Sequence, residues 1–385
     1  MNSDFHYYAT YCASLLAGYS NKDALRIAYS ASFVDCCTST LLKKCGLPIS
    51  ATTTQSQFEM IDFPTDLLGL QEITRIWASF HFLPGNLEAP IKRGGRNYRN
   101  KFRLICKPNG QLLIDTIQLA KGSSLEGIGI AMHVLADTWA HQNFAGTPSL
   151  VINNIENHIY EVFDGNDFLI SFSHTPGKQD DIEKRKYNST FYRSNENSIM
   201  NLGHGRAGHL PDLSFIKFKY MPAWGNYEEI TKDNPSDYYL AFTQMVYALK
   251  YLKGNEKEFE LNKYASLGKY EKRVKEIICK RQLSAELDWK KFAQDLGKTK
   301  IKPFDAKDYQ EEHLNAKNKE GTLLSSFCFS AKHHKSMITN RIYKSKNKLA
   351  GYSVEYSGNP LNTFKDYWKY IEHELKVSKN HGKDK

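Results

Sequence analysis

The 385-residue sequence has no apolar run of 18 residues, so no helix is expected to cross a membrane. It has no Cys-x-x-Cys pair among its seven cysteines, and Cys36 and Cys37 are adjacent. A disulfide framework and a cysteine-held zinc knot are therefore not expected. A glycine-rich phosphate loop and a βαβ alternation are also absent, which argues against a dinucleotide-binding fold. No internal repeat or low-complexity tract stands out. The opening residues have no basic stretch and carry Asp4 and His6, so no signal peptide is expected. The thiols and that start point to a reducing, cytoplasmic setting. Export by a route without a cleaved signal remains open.

Aromatic residues are plentiful. With 23 Tyr and 21 Phe the chain has the material for a sizeable core, and wholesale disorder is excluded. The formal charge of +10 is unevenly spread. Residues 1–250 hold 23 Lys and Arg against 24 Asp and Glu, whereas residues 251–385 hold 29 against 18. The basic excess belongs to the C-terminal third, with a boundary near 250–265. That third interleaves Lys with Tyr251, Tyr264, Tyr270, Trp289, Tyr309, Tyr343, Tyr352, Tyr356, Tyr367, Trp368 and Tyr370. Such aromatics either pack a helical core or stack on nucleic acid or a lipid surface.

Apolar spacing predicts a helix over 4–18 and another after Ser20, where Ser20 and Asp23 form a capping box. Ser123 and Glu126 form a second box before the clearest helix in the chain, which ends near Gly146. Further helices are expected over 198–206 and 236–252. Residues 92–111 read as a basic surface hairpin or loop. The fold class expected is mainly α: a multi-helix, bundle-like metal-binding domain over 1–250, then a basic helical region over 251–385 with a frayed tail.

The chemistry concentrates on the clearest helix. His133, Asp137 and His141 recur every fourth residue, so they share one stripe. Ile130, Val134, Ala140 and Phe144 surround that stripe, and a carboxylate buried between imidazoles needs a cation. Other ligand-type residues also stand in apolar text. These are His6, Asp35 on the apolar face of the second helix, His81 between Phe80 and Phe82, and His204, His209 and Asp212 in GHGRAGHLPD. Taken singly, His81 also fits a packed core histidine and Asp35 a helix-terminal carboxylate. His204 and His209 are five apart, so only one of them is expected as a ligand. The histidines at 158, 174, 313, 333, 334, 373 and 381 read as solvated, with His333-His334 a weak alternative pair.

This order of residues resembles the zinc-dependent phospholipase C superfamily, which includes the fungal single-strand-specific nucleases. The segments DFHYYATY, AYSASFVD, FHFLPG, HVLADTWAHQNFAG and GHGRAGHLPD also resemble a bacterial family of uncharacterised proteins near that superfamily. The resemblance spans residues 4–212. It implies a helical fold holding two or three zinc ions. Asp35, His81, His133 and Asp137 would hold one ion. Asp137 would bridge to a second, which His6 binds. His141, Asp212 and either His204 or His209 would hold a third. Superfamily chains begin with a Trp whose amino group and carbonyl bind metal. This chain begins with Met, so either Asp4 supplies the missing ligand or that zinc site is absent. The superfamily also usually has five residues, not three, between the counterparts of Asp137 and His141.

The expected chemistry is hydrolysis of a phosphodiester by a water made nucleophilic by clustered divalent ions. Asp35, Asp137 and Asp4 are the candidate catalytic carboxylates. Arg206, or the basic loop from Lys92 to Lys107, is the candidate phosphate fork. The substrate is phospholipid or nucleic acid, and the basic third suits docking on either. The alternative is a non-catalytic metal-binding protein with a basic interaction module.

Overall fold

In the computed structural model, the described residues are 1–56, 59, 67–89, 101–148, 150–156, 158–173, 179–188 and 202–345. The chain opens with a π-helical turn, Phe5–Ala9, that runs into α1 (Thr10–Leu16). Ser20 caps α2 (Asn21–Phe33), its hydroxyl accepting from Asp23 N–H at 3.1 Å, as the capping pattern predicts. Two further helices follow, α3 (Ser39–Cys45) and α4 (Leu67–Phe80). Then come α5 (Gln111–Ala120) and α6 (Leu125–Ala140).

Every residue of α6 from Glu126 to Ala140 is buried, as expected of a helix apolar nearly all round. Its cap is Ser124, whose hydroxyl accepts from Gly127 N–H. The expected Ser123–Glu126 box does not form. Glu126 Oε1 instead accepts from both Nε and Nη2 of Arg26, and its Oε2 accepts from the Ser326 hydroxyl. Helix α2 packs along α6 and approaches it closely at Gly129. A Cβ at Gly129 would stand 2.4 Å from the Ile27 carbonyl and 2.6 Å from Ser30 Cβ, so only glycine admits this approach.

After the short α7 (Leu150–Asn153) the chain departs from a mainly α fold. Strands β1 (Tyr160–Phe163), β2 (Asn166–Leu169), β5 (Lys217–Tyr220) and β6 (Ile230–Asp233) form an antiparallel sheet in the order β2-β1-β5-β6. Strands β3 (Ser171–Ser173) and β4 (Lys186–Asn188) pair in parallel. The architecture is thus mixed α and β, which corrects the expectation of a mainly α, bundle-like fold. Strands of three or four residues are too short to display a period of two. One signal was nevertheless present. Asp164-Gly165 joins β1 to β2 with positive φ at both positions, the two-residue turn that favours a hairpin.

Helix α8 (Asn234–Lys253) follows β6 directly, then α9 (Glu271–Cys279), α10 (Glu286–Gly297), α11 (Lys307–Asn315) and α12 (Leu323–Lys344). These helices share a core with the first half of the chain. Trp289 stacks on Phe242 and meets Phe5 edge-on, and Phe33 packs on Tyr309 and Phe327. Among the described residues, the interleaved aromatics are therefore mainly packing. Tyr251, Trp289 and Tyr309 are buried, Tyr264 and Tyr270 lie against the core, and Tyr343 is exposed. The tyrosines at 352, 356, 367 and 370, Trp368, His174, His373, His381 and the frayed tail lie outside the described residues. So do residues 92–100 of the basic loop and 198–201 of the predicted helix, whose remainder forms one 3-10 turn, Gly205–Ala207. His313 and His334 are buried rather than solvated. His313 pairs with Thr322, and His334 donates to the Ser79 carbonyl.

Candidate metal centre

Helix α6 supplies His133 and Asp137 from its interior and His141 from the residue that ends it. The π-helical turn swings His6 onto the same stripe, where its ring stacks on His133 with centroids 3.9 Å apart. Asp35 lies just past the end of α2, and His81 just past the end of α4. The two 3-10 turns Gly205–Ala207 and Leu210–Asp212 bring His204 and Asp212 to the opposite side. Three groups of ligand atoms result, each within 4.8 Å of one another: His6–His133–Asp137, Asp35–His81–His133 and His141–His204–Asp212.

Four of the imidazoles have one ring nitrogen on a backbone carbonyl. His133 Nδ1 meets Ala31 O at 2.9 Å, His81 Nε2 meets Thr53 O at 3.0 Å, His141 Nδ1 meets His81 O at 2.8 Å and His204 Nδ1 meets Gly208 O at 2.7 Å. A carbonyl only accepts, so each of these nitrogens carries the proton. In the neutral ring the other nitrogen is then a bare lone pair. Those lone pairs point at carboxylates and at each other. His133 Nε2 stands 3.1 Å from Asp137 Oδ2, His81 Nδ1 stands 3.3 Å from the same oxygen, and the two nitrogens are 3.3 Å apart. Three acceptors at that spacing repel unless a cation or a proton lies among them. Tetrahedral ligands 2.0–2.1 Å from one ion stand roughly 3.4 Å apart, so the triangle fits a single ion such as zinc. The carbonyl partners are also what metal-ligating histidines ordinarily have behind them.

His6 gives a second test of fit. It is buried, its Nε2 lies 3.2 Å from Asp137 Oδ1, and neither ring nitrogen makes a well-directed hydrogen bond. Burial of an unsatisfied imidazole is costly unless a ligand completes it.

The α-amino group of Met1 also reaches the cluster. It stands 2.8 Å from Asp137 Oδ1, 3.1 Å from His141 Nε2 and 3.3 Å from Asp212 Oδ1. Burial opposes its charge, but Asp137, Asp212 and Asp35 outweigh that and hold its pKa up at about 10. Asp4, the expected substitute, is not brought in. Its Oδ2 accepts from Ala285 N–H at 2.5 Å, at the start of α10. The missed signal lies in the spacing, since residue 1 is only five positions before His6.

Electrostatics follow from this crowding. Burial alone would raise the Asp137 carboxyl, but His141, the Met1 amino group, His133 and His6 carry it well below the usual range. Asp212 is likewise driven down against burial, by His204 and the amino group. Burial, reinforced by neighbouring histidines, lowers His6 and His204 to about 4. His133 goes the other way, because Asp137 and Asp35 outweigh its burial.

Of His204 and His209, it is His204 that the structure groups with His141 and Asp212. His204 Nε2 lies 3.5 Å from Asp212 Oδ2 within the third group, while the His209 side chain is 61% exposed on the rim. Asp35 is also open, with 41% of its side chain exposed. Arg206 is buried.

Among known families, the model of one described as a family of unknown function (DUF6765) matches residues 1–342. No curated protein and no solved structure matches the chain.

Proposed function

We propose, starting from a chain that belongs to this family of unknown function, that the protein is a divalent-metal-dependent phosphoester hydrolase. The observation that carries the reading is the pair of lone pairs, His133 Nε2 and His81 Nδ1, that face Asp137, each fixed by a carbonyl behind its imidazole, with the carbonyl-fixed His141 turned toward Asp212 in the same way. Asp35, His81, His133 and Asp137 would hold one ion. Asp137, with His6 and His133 close by, would share a second, and His141, His204 and Asp212 would hold a third. Zinc suits the nitrogen and oxygen donors. When bound, such ions would supply Lewis acidity and a water acidic enough to attack phosphorus near neutral pH.

The chain's own residues have distinct parts. Asp137 offers both carboxylate oxygens, Oδ1 toward His6 and Oδ2 toward His81 and His133, and so ties the groups together. Among the described residues, Asp35 alone combines membership of a ligand group with an exposed side chain, which suits it to take the proton from the attacking water. A purely structural site would be closed, so that exposure favours catalysis over the non-catalytic alternative. The basic excess of residues 251–385 suits an anionic substrate, phospholipid or nucleic acid. No helix among the described residues is long and apolar enough to cross a membrane. We place the protein in the reducing cytoplasm, where its seven free cysteines remain thiols.

The test is elemental analysis of the purified full-length chain, followed by a hydrolysis panel. The panel is phosphatidylcholine vesicles, single-stranded DNA, RNA and bis-p-nitrophenyl phosphate. Bound zinc together with chelator-sensitive cleavage of one member supports the reading. Bound metal with no cleavage supports the non-catalytic alternative, and a chain that takes up no divalent metal overturns both.

A further inference from the structure

The junction between β6 and α8 touches two metal-ligand segments that are far apart in sequence. Lys232, on β6, is fully buried. Its ammonium donates to the Trp139 carbonyl at 3.0 Å and pairs with Asp237 in the first turn of α8. The Trp139 carbonyl is one of those that α6 leaves unsatisfied where it ends, and a cation is favoured there by the helix dipole. Asp237 also accepts from Gln142 Nε2 at 2.6 Å. His141 is thus gripped from both sides, by its neighbours at 139 and 142.

Three residues before Asp237, the buried Asn234 holds the other segment. Its Nδ2 donates to Leu210 O at 2.8 Å and to Leu213 O at 2.7 Å, the carbonyls that bracket Asp212. Tyr238, one residue after Asp237, donates to Pro211 O at 3.2 Å. One rigid corner therefore fixes both His141 and Asp212, whose facing atoms are 3.2 Å apart. The same corner makes no such contact with Asp35, His81 or His133.

We infer that the β6–α8 corner, through Lys232, Asn234 and Asp237, is a positioning brace that sets metal occupancy at the His141–His204–Asp212 group and at no other. The inference rests on the metal-binding reading above. It gives the sheet a task, since β6 is what carries Lys232 into the helical layer.

The experiment is titration of full-length protein with Co²⁺, read by its visible absorption, for the native chain and for Gln142→Ala, Asn234→Ala, Lys232→Met and Lys232→Arg. Chelator-treated samples are melted in parallel to follow folding. One Co²⁺ equivalent is expected to weaken by about 10–100-fold in Gln142→Ala and Asn234→Ala, with the remaining equivalents unchanged. Lys232→Met should do the same, and Lys232→Arg should recover most of the loss. Native-like titration of Gln142→Ala, Asn234→Ala and Lys232→Met overturns the brace. So does a uniform weakening of every equivalent in step with the melting temperature, because that marks a merely structural corner. A native chain that binds no Co²⁺ overturns the metal reading itself, a different result from native binding with unchanged variants.

Discussion

His133 Nε2 and Asp137 Oδ2 face each other at 3.1 Å, one turn apart on a helix whose interior is wholly buried. The pair cannot relax toward solvent. Asp137→Asn keeps the volume and removes the charge that balances the surrounding cations. It is expected to abolish tight metal uptake and to cut phosphodiester cleavage by at least 100-fold, with His133→Ala behaving alike. Metal content and initial rates on the same preparation check this. Normal zinc in Asp137→Asn would count against the proposed centre.

Chelation should destabilise the protein. A ligand that binds only the folded chain stabilises it by RT ln(1 + [L]/Kd), about 2.7 kcal/mol when present at 100 times Kd. Dialysis against a chelator is therefore expected to lower the melting temperature by several degrees, and added Zn²⁺ to restore it. Calorimetry of the two forms decides the matter.

Gly129→Ala puts a methyl group 2.4 Å from the Ile27 carbonyl. Helix α2 must then back away from α6, at a cost of about 1–3 kcal/mol for overpacking. The same retreat carries Ala31 O away from His133 Nδ1, which it meets at 2.9 Å in the native chain. Urea unfolding should show the loss of stability. Metal titration should show a weaker His133 site, a loss not expected from overpacking remote from the centre.

A pH dependence is expected from His334, which belongs to none of the three ligand groups. Burial lowers its pKa from 6.5 to about 4, so it is neutral in the folded chain and donates to Ser79 O at 2.8 Å. Between those values the unfolded chain takes up a proton that the folded chain refuses. Its contribution is complete above pH 6.5 and is lost as the pH falls toward 4. His334→Gln keeps a donor and removes the titration. Over that window its stability should fall less steeply than the native chain's, by up to about 1.4 kcal/mol per pH unit. Denaturant titrations at several pH values measure the difference.

What the sequence made legible was whatever one helix can encode. The fourth-residue spacing of His133, Asp137 and His141 placed them on one face, and the apolar neighbours placed that face inside. His6, Asp35, His81 and Asp212 stood out because ligand-type side chains in apolar text need a reason. Three things were not legible. The carbonyls of Ala31, Thr53 and Gly208 carry no side-chain signature, so the hydrogen bonds that fix the imidazoles are invisible in one dimension. The sheet was hidden by strands too short to show their period. Lys232 and Asn234 looked like ordinary polar residues beside a helix start, because what makes them matter is contact with segments some 20 and 90 residues earlier.

The carbonyl-bound imidazoles have a consequence for magnetic resonance. Ala31, His81 and Gly208 place the ring proton of their partners on Nδ1, whereas Thr53 places that of His81 on Nε2. The buried set is thus a mixed population of tautomers, with His81 the odd one out. Imidazole ¹⁵N shifts and two-bond couplings distinguish the two forms site by site. The wiring of the centre is therefore readable in a spectrum before any substrate is known.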